Sequence, residues 1–334
     1  MKKTTKSELA VIDQIVAVGS VDGVLTTAAM LRVIGKQPED VGLVFCQAFT
    51  VDKVDMSGWK PNSKVAFVDL AVNNRDKPMT AEFIRRLDEA GHKVVAICDE
   101  HSREDWREVF GRDQVDELLI QPQSQAEGIY KSSGALFLAA LDSVVQPGTV
   151  ECELDEDTRV LCHLADEADR MIFISIGKAV NEAVKSKIAD DSRRVYLARH
   201  YAQSLEPDNT IRGWIAEYDK ILANHEEVLA AKQDLGDGIV RVSAVGKVVD
   251  MTTLMSGLYK SGAVVVILEG EMFNKVLGRK TIQVSFATGT KLDLLTCLKA
   301  VVPTASGFAS KVNIEPEQEA AALGAVRAAL ASPK

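Results

Sequence analysis

The first third of the chain alternates short apolar runs with amphipathic stretches. QIVAVG (14–19), VGLVFCQAF (41–49), KVAFVDLAV (64–72) and KVVAICD (93–99) are of strand length and largely apolar at successive positions. That is the pattern of strands covered on both faces. Between them lie LTTAAMLRVIG (25–35) and TAEFIRRLDEAG (80–91). In the second, Phe83, Ile84 and Leu87 form a helical stripe, and Gly91 stands at the C-cap. Strand and helix in alternation predict βαβ units around a parallel sheet. DELLIQP (116–122) is a candidate further strand.

From about residue 124 to 235 the pattern turns helical: SSGALFLAAL (132–141), TRVLCHLADEADRMIF (158–173), then two or three helices over 178–235 broken at 190–192 and 206–209. Strands return with GIVRVSAVG (238–246), GAVVVILEG (262–270) and TIQVSFAT (281–288), followed by helical patterns at 291–301 and 315–330. The expected fold class is α/β: a parallel-sheet N-terminal domain (1–180), a helical connector (181–235) and a smaller α/β C-terminal domain (236–334).

Composition narrows the function classes. With 334 residues, 46% hydrophobic and 26% charged, the chain can bury two ordinary cores. No stretch approaches the roughly 20 apolar residues of a membrane helix, and no signal peptide is legible, so a cytoplasmic location without membrane attachment is expected. The five cysteines are scattered without a CxxC pair, against a zinc cluster or a disulfide framework. A net charge of −9 argues against nonspecific coating of duplex DNA. Trp59, Trp106 and Trp214 read as packing residues. His163 reads as a core or boundary residue, and His200 and His225 as exposed ones.

Three strands end in acids. IVAVGSVD reaches Asp22, VAFVD reaches Asp69, and VVAICDEH reaches Asp99, Glu100 and His101. The carboxyl ends of parallel strands share one edge, so these groups should converge. Asp166 and Asp169 follow on a later helix. Each strand-end acid alone could be a helix cap; several together, with an imidazole, need a cation to offset their repulsion. Oxygen ligands with one His suit Mn²⁺ or Mg²⁺.

The ordered set of motifs resembles the DHH/DHHA1 phosphoesterases, which include RecJ-like exonucleases and oligoribonuclease/pAp phosphatases. GSVDGV (19–24) stands at the first motif, VAFVDLAVN (65–73) at the second, Asp99-Glu100-His101 at the namesake Asp-His-His, and LADEADRM (164–171) at the fourth, with Asp169 the first choice and Asp166 the second. TASGFASKV (304–312) stands at the glycine-rich substrate loop. The departures are Ser20 for the first Asp of a DxD, Val18 or Gly19 for the upstream His, Glu100 for the middle His, Phe308 for a loop His and Ala287 for a basic residue.

The resemblance implies a metal set of Asp22, Asp69, Glu100, His101 and Asp169, with Asp69 bridging and Asp99 and His101 in catalytic roles. It implies one or two Mn (or Mg) ions. Ser20, Arg103, Lys260, Arg279, Gly307, Phe308 and Lys311 are the implied substrate-binding residues. The implied activity is hydrolysis of a short oligonucleotide, dinucleotide or nucleoside bisphosphate by metal-activated water. Two other readings stay open: a non-catalytic relative that binds a nucleotide, nucleic acid or protein partner, and an unrelated α/β protein in which the strand-end acids are caps. Oligomeric state is left open, a homodimer included.

Overall fold

The computed structural model describes residues 4–123, 131–141, 154–274 and 279–331. The chain divides into two compact units, Met1–Ile215 and Ala216–Lys334.

In the first unit, α1 (Lys6–Leu9) precedes β1 (Gln14–Val18), α2 (Val21–Ile34), β2 (Gly42–Cys46), β3 (Lys64–Val68), α3 (Lys77–Glu89) and β4 (Lys93–Cys98). The four strands form one parallel sheet in the order β2-β1-β3-β4. β1 is central, and four of its five residues are buried, because helices cover both faces. Beyond β4, α4 (Arg103–Phe110) and α5 (Arg112–Glu117) lead into the stretch expected as a fifth strand. It is not a regular strand, yet Leu119 N–H donates to the Val95 carbonyl (2.8 Å) and Ile97 N–H to the Ile120 carbonyl (2.9 Å), so it extends the ladder for one step.

The helical part comprises α6 (Ser133–Leu141), α7 (Glu156–Asp169), α8 (Ser175–Ser186), α9 (Asp191–Gln203) and α10 (Asn209–Ala230). The helices are interrupted at 187–190 and 204–208, so the expected breaks at 190–192 and 206–209 fall at the starts of α9 and α10, with Asp191, Ser192 and Asn209 already helical. α2 is buried almost all round, since sheet residues cover one side and α6 to α9 the other. Gly134 permits the close approach of α6 to α7: a Cβ there would lie 2.6 Å from the Ala165 Cβ. Val180, Ala183, Leu197 and Ala198, from the stretch expected as a connector or its edge, belong to the first unit's core.

In the second unit, β5 (Gln233–Asp234), β6 (Ile239–Ser243), α11 (Met251–Lys260), β7 (Val265–Asn274), β8 (Arg279–Thr288), α12 (Leu294–Lys299), β9 (Ser306–Phe308), β10 (Lys311–Ile314) and α13 (Glu319–Ala331) follow. The six strands form a mixed sheet, β5-β6-β7-β8-β10-β9, in which only β6 and β7 run parallel. The glycine-rich loop is a hairpin rather than an open loop: Phe308 pairs with Lys311 and Gly307 with Val312. Gly307 has φ +142°, and a Cβ there would meet the Lys311 carbonyl at 2.2 Å, so only glycine fits. His225 is buried, where an exposed residue was expected; its Nε2 accepts the Asp250 N–H (2.7 Å). His163 is exposed on α7. No helix among the described residues is long and apolar enough to cross a membrane.

Candidate functional site

The carboxyl ends of β1, β3 and β4 meet α7 around a cavity of about 430 Å³, walled by Ser20, Asp22, Asp69, Glu100, His101 and Asp169 among others. Each acid is held by its own local geometry.

Ser20, not Asp22, caps α2: its Oγ accepts the Gly23 N–H at 2.8 Å. The same hydroxyl donates to Asp69 Oδ2 at 2.5 Å. Asp22 sits in the first helical turn, and its carboxylate points inward. Thr26 Oγ1 and Ser133 Oγ donate to Oδ1, both at 2.9 Å, and the Ser133 N–H donates to Oδ2 at 3.2 Å. Asp69 ends β3 with φ +55°, a left-handed conformation that is costly for a residue with a Cβ and tends to mark functional sites. Helix α3 starts several residues later, after Asp76. Asp99 is fully buried, and Ser102 caps the helix that follows it. None of the three strand-end acids is a cap, which removes the capping account of their placement.

Asp99 instead holds its neighbours. Its Oδ2 accepts the Trp106 indole N–H (2.7 Å), and its Oδ1 pairs with His101 Nδ1 (2.7 Å) and accepts the His101 N–H (3.2 Å). This carboxylate–imidazole pair orients the ring and sets the proton on Nδ1, leaving Nε2 for the cavity's chemistry.

Crowding of acids dominates the electrostatics. Burial lifts the Asp22 carboxyl to about 6 even against its hydrogen bonds from Ser133 and Thr26, and the charge of Asp169 adds to the rise. Glu100 is pushed up to about 8 by burial and by the charges of Asp99 and Asp22. Asp69 stands well above the ordinary carboxyl range, through burial and then the charges of Asp22 and Glu100. Asp169 is raised as well, mainly by burial. His101 is raised to about 9, chiefly by its bond to Asp99. Several acids thus give up their protons reluctantly, because burial and mutual repulsion outweigh the relief that the His101 charge gives Glu100 and Asp169.

One ligand atom each from Asp22, Glu100 and Asp169 lie within 4.8 Å of one another, and the same holds for Asp99, Glu100 and His101. Glu100 belongs to both groups, and its buried Oε2 has no hydrogen-bond partner among the described residues. A buried carboxylate oxygen without a donor, at the junction of two acidic groups, is the position a divalent cation fits. Asp166 is turned elsewhere: it accepts Ser132 Oγ (2.9 Å) and pairs with Arg170 (2.5 Å). Gly23 closes the floor, since a Cβ there would lie 2.2 Å from the Val18 carbonyl and 3.1 Å from Asp69 Oδ2.

Of the remaining expected residues, Arg103 belongs to the first unit and Lys260, Arg279, Gly307, Phe308 and Lys311 to the second. The Arg103 Nε donates to the Pro122 carbonyl (2.7 Å), which ties the side chain to the backbone. Lys260, Gly307, Phe308 and Lys311 belong to the second unit, at the end of α11 and on the β9–β10 hairpin. Arg279 opens β8, and its side chain lies outside the described residues. Sequence reasoning missed Thr26 and Ser133, which hold Asp22, and Trp106 as a polar partner of Asp99. It also missed Met171 and Phe173, which wall the cavity. Ser133 stands 111 residues from Asp22 in sequence, and no spacing signal connects them.

No family model and no curated protein matches the sequence. Solved structures do match. One is the pGpG-specific phosphodiesterase PggH of Vibrio cholerae, with a TM-score of 0.58 and 9% identity over 95% of this chain and 98% of that one. Another is an exonuclease RecJ bound to manganese, with a TM-score of 0.58 and 12% identity over 100% and 96%. A third is RecJ of Thermus thermophilus in complex with Mn²⁺, at 0.54 and 13% over 96% and 52%, so this chain spans about half of that protein. The chain has the fold of the DHH/DHHA1 phosphoesterases, a parallel-sheet unit followed by a smaller mixed-sheet one.

Proposed function

We propose that the protein is a metal-dependent phosphoesterase that hydrolyses a short oligonucleotide, dinucleotide or nucleoside bisphosphate. The observation that carries this reading is the convergence of ligand atoms of Asp22, Glu100 and Asp169, with Asp69 in the same cavity wall and the buried Oε2 of Glu100 without a hydrogen-bond partner among the described residues. The substrate named for one structural neighbour, pGpG, supports the dinucleotide member of that class.

Asp22, Asp69, Glu100 and Asp169 would hold the cation, Mn²⁺ or Mg²⁺. When bound there, it would supply Lewis acidity and lower the pKa of a coordinated water. Thr26 and Ser133 keep Asp22 aimed at the cavity by satisfying its remaining lone pairs. Ser20 stands where a first Asp is usual and spends its hydroxyl on Gly23 and Asp69. The carboxylates present therefore suit one well-held ion more readily than two. His101, steadied through Nδ1 by Asp99, would in its doubly protonated form carry a second proton on Nε2 to deliver to a leaving oxygen.

Isothermal titration with Mn²⁺ and a hydrolysis assay on dinucleotides test this reading. Wild type should bind the ion and turn over substrate, and Asp69→Ala should lose both. Undiminished turnover by Asp69→Ala would sink it. The missing Asp and His of the first motif favour a second reading, a nucleotide-binding protein without turnover. Ligand-induced thermal stabilisation, with no hydrolysis of any phosphodiester, would select that one.

A further inference from the structure

A larger cavity, of about 920 Å³, lies against the acidic one at the carboxyl ends of β1 and β2. The two share wall residues, among them Val18, Ser20, Gln47 and Phe49. The larger one has a different chemistry. Its cations are Lys53, Lys185 and Arg194, and its carboxylates are Asp55 and Asp191. Both carboxylates are engaged locally: Asp191 pairs with Arg194 (2.9 Å), and Asp55 accepts the Ser57 N–H (2.9 Å). Arg194 also donates through Nε to the Gly19 carbonyl (2.8 Å), which fixes it as part of the wall. Lys53 is exposed and makes no ion pair among the described residues.

Large apolar side chains are normally covered, yet Phe49 is 65% and Ile188 69% exposed at this cavity. Phe49 stands between the two cavities, one turn before Lys53 on the 3₁₀ segment Ala48–Lys53. An exposed aromatic face and an ammonium without an ion pair in one cavity lining are what a nucleobase with its phosphate requires. The volume lies at the upper end of the range of small-molecule sites.

We propose that the larger cavity is a nucleotide subsite: a base stacks on Phe49, and its phosphate is met by Lys53, with Lys185 in the same lining. The inference rests on the phosphoesterase reading and deepens it. With the scissile phosphate over the carboxylates, this subsite takes the adjoining nucleotide, so the preferred substrate carries two nucleotide units rather than one nucleoside with two phosphates.

Calorimetric titration of the metal-free full chain with a nucleoside 5′-monophosphate tests the subsite without any turnover. Both probed side chains are exposed, so their replacement leaves the core intact. Phe49→Ala should weaken binding roughly tenfold, the loss of one base stack. Lys53→Ala should weaken it by a similar factor, with recovery in Lys53→Arg, and should leave the weaker binding of the unphosphorylated nucleoside unaffected. Absence of monophosphate binding by wild type, or equal affinity in wild type, Phe49→Ala and Lys53→Ala, would overturn the proposal. The Mn²⁺ titration is read separately. Metal binding and turnover with nucleotide affinity indifferent to both substitutions removes the subsite alone. Nucleotide binding through Phe49 and Lys53 without Mn²⁺ uptake supports the subsite and removes the metal reading.

Discussion

Replacing Glu100 by Gln should make the metal-free protein more stable at neutral pH, although it removes a buried polar contact. In the folded chain the carboxyl is held near 8, against 4.5 for the free group. Between those values the folded state keeps a proton that the unfolded state has released, so stability falls as pH rises, at about 1.4 kcal/mol per pH unit. From pH 4.5 to about 7.5 that amounts to about 4 kcal/mol. Gln never ionises and escapes this penalty. Its amide brings N–H donors to a place where Glu100 Oε2 already lacks a partner, at a cost of about 1–3 kcal/mol. The difference leaves Glu100→Gln ahead by about 1–3 kcal/mol near pH 7.5, a rise of several degrees in Tm for a unit of this size. Near pH 5 the wild-type penalty has gone and the order reverses. His101 titrates in the same direction in both proteins: its raised value adds stability below about 6.5 that is lost as pH climbs toward about 9. The ring is over half exposed, so solvent screens much of that contribution. Thermal scans at both pH values with chelator, repeated with Mn²⁺, provide the assay. Mn²⁺ should raise the Tm of wild type and leave that of Glu100→Gln where it was. A variant less stable than wild type at both pH values would refute the account of Glu100 as an uncompensated acid awaiting a cation.

Trp106→Phe keeps the buried ring and deletes the donor to Asp99 Oδ2. It should destabilise by about 1–3 kcal/mol and lower metal affinity or turnover about 10–100-fold, read by calorimetry and initial rates. Gly23→Ala drives a methyl against the Val18 carbonyl. It should cost more than about 2 kcal/mol in denaturant unfolding and disturb Ser20 and Asp69 together. Ser133→Ala removes one of the donors to Asp22 Oδ1 and leaves the backbone N–H. A loss of about 1–2 kcal/mol is expected, with a smaller effect on Mn²⁺ affinity than Asp69→Ala. Removing divalent ions with a chelator should lower the Tm of wild type more at pH 8 than at pH 5, because the raised acids ionise only at the higher value.

The strands at 14–19, 64–72 and 93–99 were legible because burial on both faces writes itself as consecutive apolar residues. The helix breaks at 190–192 and 206–209 were legible because polar turn residues interrupt a 3.6-residue period. The convergence of Asp22, Asp69 and Asp99 followed from one topological rule, that parallel strands end on a common edge, whereas Asp169 comes from a later helix and was expected there only through the family resemblance. Which acid does what was not legible. That Ser20 takes the cap and frees Asp22 to point inward depends on backbone angles within one turn. That Asp99 steadies His101 depends on Trp106 reaching back from α4. That Asp22 is gripped by Ser133 depends on α6 crossing the sheet edge from far along the chain. Periodicity and spacing act over a few residues and so determine the elements and their order. Hydrogen-bond partners, burial and the shifted acidities arise from groups distant in sequence, and only the packed tertiary structure decides them.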